Sequence, residues 1–180
     1  SAPTFEKYIT AWSTIKIGAY FFNSAVVTVI GVGLVLAVSS LAGFALAQLH
    51  FRFRRAIFFL LLTGLMIPVQ VIMVPLFRVV VDLGLLNTRI GLGIVYGAFF
   101  SPFGIYLMTS YYASVPRELD EAARVDGASV VQIYLRIYLP LIAPALAAVA
   151  TYALLFAWND YLYQYVLLTS ENHTTVAVAL

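Results

Sequence analysis

Residues 17–51 read IGAYFFNSAVVTVIGVGLVLAVSSLAGFALAQLHF, a run of 35 residues without an Asp, Glu, Lys or Arg. A helix needs about 20 apolar residues to cross the hydrocarbon core of a bilayer, because it rises about 1.5 Å per residue. Three further uncharged runs reach that length, at residues 56–77, 90–116 and 137–159. The sequence therefore predicts an all-α fold, namely a polytopic transmembrane helical bundle.

The composition also indicates a membrane protein. Of the 180 residues, 63% are apolar and only 10% are charged, against about 25% charged in an average soluble domain. A soluble domain of this size needs more polar residues than that to cover its surface. We therefore interpret residues 1–180 as a single transmembrane domain, with four complete spans near 20–48, 56–79, 90–113 and 138–160.

Several functional classes are disfavoured by what the sequence lacks. The net charge of +2 is far from the dense basic surface that nucleic acids require, so no nucleic-acid partner is expected. There is no cysteine, and neither His50 nor His173 has a second ligand at metal spacing. No predicted span contains an acid, base or metal cluster, so we predict no catalytic residue and no metal site.

The distribution of arginines predicts which loops face the cytoplasm. Three arginines within residues 52–55 have no acid beside them, which by the positive-inside rule places this loop inside. The link 82–89 then faces out, and the segment 116–136, with three more arginines, faces in. The same alternation places residues 1–16 and the region after Asp160 on the outer side.

Small residues recur at intervals of four in two of the predicted spans. The sets are Ser39, Gly43 and Ala47 in the first, and Gly93 and Gly97 in the third. Such faces let helices approach one another closely, so we expect the spans to pack into a bundle.

Prolines interrupt two of the predicted spans. Pro68 and Pro75 lie nearly on one face of the second span, with Gln70 between them. Residues 101–104, which read SPFG, interrupt the third span similarly. Each proline frees a carbonyl and bends the helix, and broken helices are tolerated at membrane depth where they line a cavity. Together the prolines indicate a solute path, whereas a packing kink is the alternative for any single one.

A polar and aromatic cluster follows the fourth predicted span. Asn159 and Asp160 precede Tyr161, Tyr163 and Tyr165. Sugars are bound by planar hydrogen-bonding groups and aromatic faces, so this cluster is a candidate for contact with solute. Tyrosines also anchor helices at a membrane interface, and that alternative stays open. The substrate-path candidates are Gln70, Asn159, Asp160 and Tyr163.

The densest charge in the chain lies in residues 116–139, between the third and fourth predicted spans. Pro116 suits the first turn of a helix, and Gly127 permits the left-handed residue that ends it. A second helix is predicted to start at Ser129, with Gln132 at capping-box spacing. We predict two short helices that meet at a glycine and either lie in a partner's groove or fold back onto the bundle.

Part of this segment resembles the signature of a known family. Glu121, Ala122 and Ala123, then Gly127, and then Ile137, Leu139 and Pro140 are similar in type and spacing to the EAA signature of permease subunits in binding-protein-dependent ABC importers. Other stretches resemble the carbohydrate branch of that family, which includes the inner permeases of maltose transporters. They are residues 22–24, 52–54, 66–68, 84–88 and 157–160.

The resemblance implies a permease subunit that forms the pathway for a sugar or related polyol in a bacterial or archaeal cytoplasmic (inner) membrane. Besides the lipid bilayer it implies three partners: a second permease subunit, a cytoplasmic ABC ATPase dimer and an extracytoplasmic solute-binding protein. ATP and Mg²⁺ would belong to the ATPase, so this subunit is expected to be no enzyme and to carry no cofactor. The expected ATPase-coupling residues are Glu118, Glu121, Ala122, Ala123, Gly127, Ile137, Leu139 and Pro140.

The resemblance also predicts the number of spans, and one alternative function stays open beside it. Such permeases usually have six spans and only four complete ones are predicted here, so a first and a last span are expected to be absent from this chain. A gradient-driven secondary transporter or channel subunit is the alternative function, because kinked helices suit it equally. Ion coupling usually needs an intramembrane carboxylate, however, and the acids of this chain lie at the span ends.

Overall fold

The computed structural model describes residues 17–170 and 173–179, which excludes residues 1–16 and their predicted outer location. Within the described ranges the regular structure is helical and no strand occurs, which confirms the predicted all-α fold. The helices are α1 (Ile17–Gln48), α2 (Arg54–Gly64), α3 (Val69–Asp82), α4 (Arg89–Ser114), α5 (Arg117–Val125), α6 (Val130–Ile133), a π-helical turn (Tyr134–Tyr138), α7 (Leu139–Leu141), α8 (Ala143–Asn159), α9 (Leu162–Leu167) and α10 (Val176–Ala179).

Helices α1 and α4 form the centre of the bundle, and α1 also packs along α8. Both α1 and α4 are long and apolar enough to cross a membrane. Their close approach depends on glycine, because a Cβ added at Gly43 of α1 would lie 2.5 Å from Cβ of Met108 on α4. A Cβ added at Gly97 of α4 would lie 2.8 Å from Cβ of Leu34 on α1. The predicted small-residue faces are therefore where these two helices meet.

The second predicted span is not one straight helix. Helices α2 and α3 meet at an angle of 102° across a short break. Pro68 ends this break with an extended backbone (ψ 134°), and α3 starts at the next residue. Pro75 lies inside α3, which continues through it. With 11 residues, α2 is only about 16 Å long, so the bent pair has the length of a span only when taken together.

The fourth predicted span is also bent. Residues Val130–Leu141 and Ala143–Asn159 meet at 74°. By length and composition, the part of the chain that the structure describes contains two helices able to cross a membrane, or up to four spans if each bent pair counts as one. The predicted number of four spans therefore stays a prediction.

The third predicted span is continuous, contrary to the expected interruption at residues 101–104. Helix α4 runs through Pro102 without a break. The Ser101 hydroxyl donates a hydrogen bond to the Gly97 carbonyl, and Gly104 lies directly against α1. Burial of this stretch against α1 stabilises the helix and offsets the single backbone hydrogen bond that a proline removes.

The two ends of the bundle carry different segments. At one end, a cleft between the end of α1 and α5 is lined by His50 and Arg117, among others. At the opposite end, the backbone N–H of Asn87 donates to the Leu167 carbonyl (2.9 Å). The arginine-rich residues 52–55 and 116–136 therefore lie at one end of the bundle, and the link 82–89 lies at the other end. This agrees with the sides of the membrane that the arginines predict for these loops.

We expect Gly43→Val to destabilise the bundle, because overpacking a tight contact costs about 1–3 kcal/mol. The apparent Tm in detergent and the membrane abundance of the chain should both fall, as measured by thermal unfolding with size-exclusion chromatography. Gly33→Val is the matched control: it changes helix propensity equally on the same helix, but a Cβ there has no neighbour within 4 Å. Equal stability of the two variants would contradict the close approach of α1 and α4.

Candidate functional site

A cavity of about 590 Å³ lies beside the break between α2 and α3. Its walls come from the break, from α4, from α8 and from the segment that follows α8; the lining residues at the break are Gly64, Leu65, Ile67 and Val69. Three of the four predicted substrate-path residues line it, namely Asn159, Asp160 and Tyr163. The structure therefore brings these three together at the place where a predicted span is broken.

Aromatic rings form much of the cavity wall. Phe99 and Phe100 come from α4, and Tyr152 and Phe156 come from α8. The ring centroids of Phe100 and Phe156 are 5.6 Å apart, and those of Tyr152 and Phe156 are 4.8 Å apart. Sequence reasoning missed these four residues. The available signal was the spacing of four between Tyr152 and Phe156, which places both rings on one helix face.

Asp160 is held by hydrogen bonds to its surroundings. Its Oδ2 accepts from the Tyr96 hydroxyl (2.8 Å) and from the backbone N–H of Tyr163 (3.0 Å). The carboxylate thereby caps the first turn of α9 and ties this helix to α4. Asp160 thus positions the part of the cavity wall that carries Tyr163.

Asn159 ends α8 at the rim of the cavity. Its Nδ2 donates to the Leu155 carbonyl one turn earlier in the same helix (2.7 Å). The side chain is exposed, so its amide can also meet groups that enter the cavity. The orientation of that amide is fixed by its own helix.

Tyr163 is the most deeply buried polar group of the wall, with 3% of the residue exposed. Its ring packs against Phe99, with centroids 5.4 Å apart, and against Tyr96 at 6.2 Å. The hydroxyl has no hydrogen-bond partner within the described residues. An unmet buried hydroxyl is unfavourable, so a small side-chain movement that opened it to the cavity would let a polar group of a bound molecule stabilise it.

Gln70 lies apart from the other substrate-path candidates. It is exposed in the first turn of α3 and does not belong to the cavity lining. The break at Pro68 turns α3 away by 102°, so closeness in sequence to the break does not bring Gln70 to the cavity.

The first half of the predicted coupling segment is a single helix. It begins after Pro116, and the chain turns beyond it at Gly127, whose φ of +79° lies in the left-handed region. Asp120 and Arg124 form an ion pair one turn apart (3.0 Å). The Asp120 carboxylate raises the pKa of the Arg124 guanidinium through this hydrogen bond and its charge. The predicted helix and its glycine end are both confirmed.

The surface of α5 is mostly open. Glu118, Glu121 and Ala122 are exposed. Ala123 is half-buried and packs against the core of the bundle. Helix α5 thus presents acidic and small side chains outward while one alanine holds it to the rest of the chain.

The second half of the segment folds onto the bundle. Ser129 and Gln132 form the predicted capping box, with each side chain bonded to the other's backbone N–H (2.8 and 3.3 Å). Ile133 and Tyr138 are fully buried. Of the remaining coupling candidates, Ile137 and Leu139 are half-buried and Pro140 is exposed. The second half therefore follows the alternative in which the segment folds back onto the bundle. Docking of the first half in a partner's groove stays a prediction.

Comparison with known proteins gives extended matches. Residues 39–179 match a family described as binding-protein-dependent transport system inner membrane component. The chain is 39% identical over 168 residues to the diacetylchitobiose uptake system permease protein NgcG of Streptomyces coelicolor, which covers 93% of this chain and 56% of that protein. It is 33% identical over 178 residues to the melibiose/raffinose/stachyose import permease protein MelC of Bacillus subtilis, covering 98% of this chain and 64% of that protein.

A solved structure is similar as well. It is the crystal structure of a bacterial ABC transporter involved in the import of the acidic polysaccharide alginate, and one of its chains matches with a TM-score of 0.81 at 32% identity. The match covers 91% of this chain and 59% of that chain. The chain thus spans between about half and two thirds of the length of these relatives. Sequence, fold and family match agree, and the chain belongs to the inner membrane components of binding-protein-dependent transport systems.

Proposed function

We propose that this chain is a permease subunit of an ATP-driven importer and contributes to the pathway of a sugar or related polyol. The observation that carries the proposal is the aromatic cavity beside the broken α2–α3 pair, where Asn159, Asp160 and Tyr163 meet. Irregular backbone at membrane depth is tolerated where it lines such a cavity. The relatives support the solute class, since two are named for saccharides and the solved structure for a polysaccharide.

The chemistry of the cavity suits a saccharide. A sugar ring has apolar C–H faces, which pack on aromatic rings, and hydroxyl edges, which need a few well-placed polar partners. Phe100, Tyr152 and Phe156 supply rings, while Tyr163 and Asn159 supply a hydroxyl and an amide. The volume of about 590 Å³ lies within the range of about 300–1,000 Å³ that small-molecule sites occupy.

The proposed partners follow from the coupling segment and the family. We propose that α5 docks on a cytoplasmic ABC ATPase dimer, which binds ATP and Mg²⁺, and that a second permease and an extracytoplasmic solute-binding protein complete the transporter. The exposed Glu118, Glu121 and Ala122 support docking, because a helix with small outward residues can lie closely in a groove. On this proposal Ile137, Leu139 and Pro140 orient the segment at the end where it leads into α8. The chain then acts in the cytoplasmic membrane.

A gradient-driven mechanism is less well supported. Helices α1, α4 and α8 contain no Asp or Glu. Asp82 ends α3 and Asp160 directly follows α8, so both carboxylates lie at helix ends. Coupling ions usually bind carboxylates within the membrane, and the described helices offer none there.

Uptake should depend on ATP. Proteoliposomes that contain the assembled transporter, with ATP enclosed and no ion gradient, are expected to accumulate labelled saccharide from a panel that includes diacetylchitobiose and melibiose. A non-hydrolysable ATP analogue in place of ATP is the control and should give no accumulation. Accumulation driven by a gradient in the absence of ATP would refute the importer mechanism.

Docking should be sensitive to bulk at Ala122. The change Ala122→Phe is expected to weaken co-purification of the ATPase at least about fivefold, because overpacking a contact costs about 1–3 kcal/mol. Membrane abundance should not change, since Ala122 is exposed. Ala113→Phe, at another exposed alanine near the same end of the bundle, is the matched control. Normal ATPase binding by Ala122→Phe would contradict docking through α5.

The cavity residues should affect uptake without affecting assembly. We expect Tyr163→Phe and Asn159→Ala each to lower kcat/KM for solute uptake about fivefold, the factor that corresponds to one lost hydrogen bond of about 1 kcal/mol. Gln70→Ala tests the candidate that lies outside the cavity lining and should leave uptake unchanged. If Gln70→Ala lowers uptake and the two cavity variants do not, the solute follows a different path.

A further inference from the structure

An aromatic cluster joins three parts of the chain at the end of the bundle that carries the coupling segment. Its members are Phe44 of α1, Tyr112 of α4, and Tyr134 and Tyr138 of the π-helical turn. The Phe44 centroid lies 5.6 Å from that of Tyr112, 5.1 Å from that of Tyr134 and 5.2 Å from that of Tyr138. Tyr112 and Tyr138 are fully buried. The coupling segment is thus anchored to both central helices at one point.

Hydrogen bonds also connect the residues of this aromatic cluster to α1. Ser40 Oγ of α1 lies 2.8 Å from the Tyr112 hydroxyl and 2.8 Å from the Tyr134 hydroxyl. Nε2 of Gln48, two turns further along α1, donates to the Tyr112 backbone carbonyl (2.6 Å). Ser40 is 3% exposed, so water cannot readily replace these bonds, and breaking one leaves a buried hydroxyl unpaired.

The rest of the coupling segment is attached much less firmly. Helix α5 is exposed except at a few residues such as Ala123, and it connects to the anchored half through Gly127. A force applied to α5 therefore has two routes to the membrane helices: the short link through Val115 and Pro116 to α4, and the π-helical turn with the cluster around Phe44.

Both helices that leave the cluster carry part of the cavity wall. Phe100 lies 12 residues before Tyr112 on α4, which is about 18 Å along the helix axis. Helix α8 follows the π-helical turn and carries Tyr152 and Phe156. A displacement at the cluster can thus change the spacing of the two aromatic walls, because close-packed helices move as units.

We propose that Ser40, Phe44, Tyr112, Tyr134 and Tyr138 are positioning residues that transmit displacement of the coupling segment to the cavity walls. This inference rests on the proposed docking of α5 on an ATPase. It goes further by assigning the route of transmission to one buried hydroxyl network and its rings, none of which belongs to the EAA positions.

A thiol in the cavity provides a test that does not require the solute to be known. The chain has no cysteine, so Leu155→Cys, at an exposed lining position, gives it a single thiol. In the assembled transporter, the rate of labelling of this thiol by a membrane-impermeant maleimide is measured without nucleotide and after trapping with Mg-ATP and vanadate. The parent is expected to show different rates in the two states.

Two single variants and their double variant then probe the network in the Leu155→Cys background. In Tyr134→Phe, the ratio of labelling rates between the two states should shrink about fivefold, as expected for one lost buried hydrogen bond. In Ser40→Ala, which removes two such bonds, the ratio should shrink by at least as much. The double variant should match Ser40→Ala, because that change already removes the bond that Tyr134→Phe removes. ATPase co-purification should stay at the parental level. Tyr111→Phe, an exposed tyrosine next to Tyr112, is the control and should leave the ratio unchanged.

Three results would overturn the inference. A parental labelling ratio in Ser40→Ala, Tyr134→Phe and Tyr112→Phe alike, at matched abundance, shows that the hydroxyl network transmits nothing. Loss of ATPase co-purification in these variants shows that the cluster serves assembly instead. If the parent itself neither binds the ATPase nor responds to nucleotide, the proposed function fails and takes this inference with it, whereas the first two results leave that function standing.

Discussion

The close approach of α1 and α4 is the contact on which the other features depend. Apolar side chains gain little by leaving lipid for protein, so membrane helices hold together through close packing and hydrogen bonds. Gly43 and Gly97 allow that packing, since neither position has room for a side chain. Helix α8 lies on α1, and the π-helical turn packs across the ends of α1 and α4. The cavity wall and the coupling segment are therefore both built on this helix pair.

The coupling segment combines a firmly held half with an open half. Ser129 and Gln132 define where the held half begins, and burial of Ile133 and Tyr138 fixes its position. The open half keeps its shape mostly through local features, namely the proline at its start and the ion pair between Asp120 and Arg124, and only Ala123 of the residues named above packs against the core. This division leaves the surface of α5 open while the second half of the segment stays packed against the bundle.

Features encoded by neighbouring residues could be predicted from the sequence. The uncharged runs, the start of α5 at Pro116, the left-handed Gly127 and the capping box depend on chemistry within a few residues. The path of the chain at prolines was less predictable, because tertiary packing decides it. Pro102 is carried within a continuous helix held against α1, whereas Pro68 lies at a bend of 102° with no buried residue on α2 to hold a straight course.

The cavity could be predicted only in part for the same reason. Asn159, Asp160 and Tyr163 are neighbours in sequence, and their shared location required only one helix end. Phe99 and Tyr152 are 53 residues apart, and only the packing of α4 near α8 brings their rings to one wall. Gln70 shows the converse, since a bend next to it turns it away from a cavity that its neighbours line.

The π-helical turn affects how a change in the number of residues before α8 would alter the orientation of the aromatic wall of the cavity. Such a turn holds one residue more than the α-helical geometry requires, and each residue of an α-helix advances the rotation about its axis by about 100°. Deleting one residue within Tyr134–Tyr138 would therefore convert the turn to ordinary α-helix and leave the chain that follows in nearly the same rotational phase. Deleting one residue of α8 before Tyr152 would instead rotate Tyr152 and Phe156 by about 100°, away from α4. The π-helical turn is thus a place where the chain can lose a residue without turning the aromatic wall of the cavity.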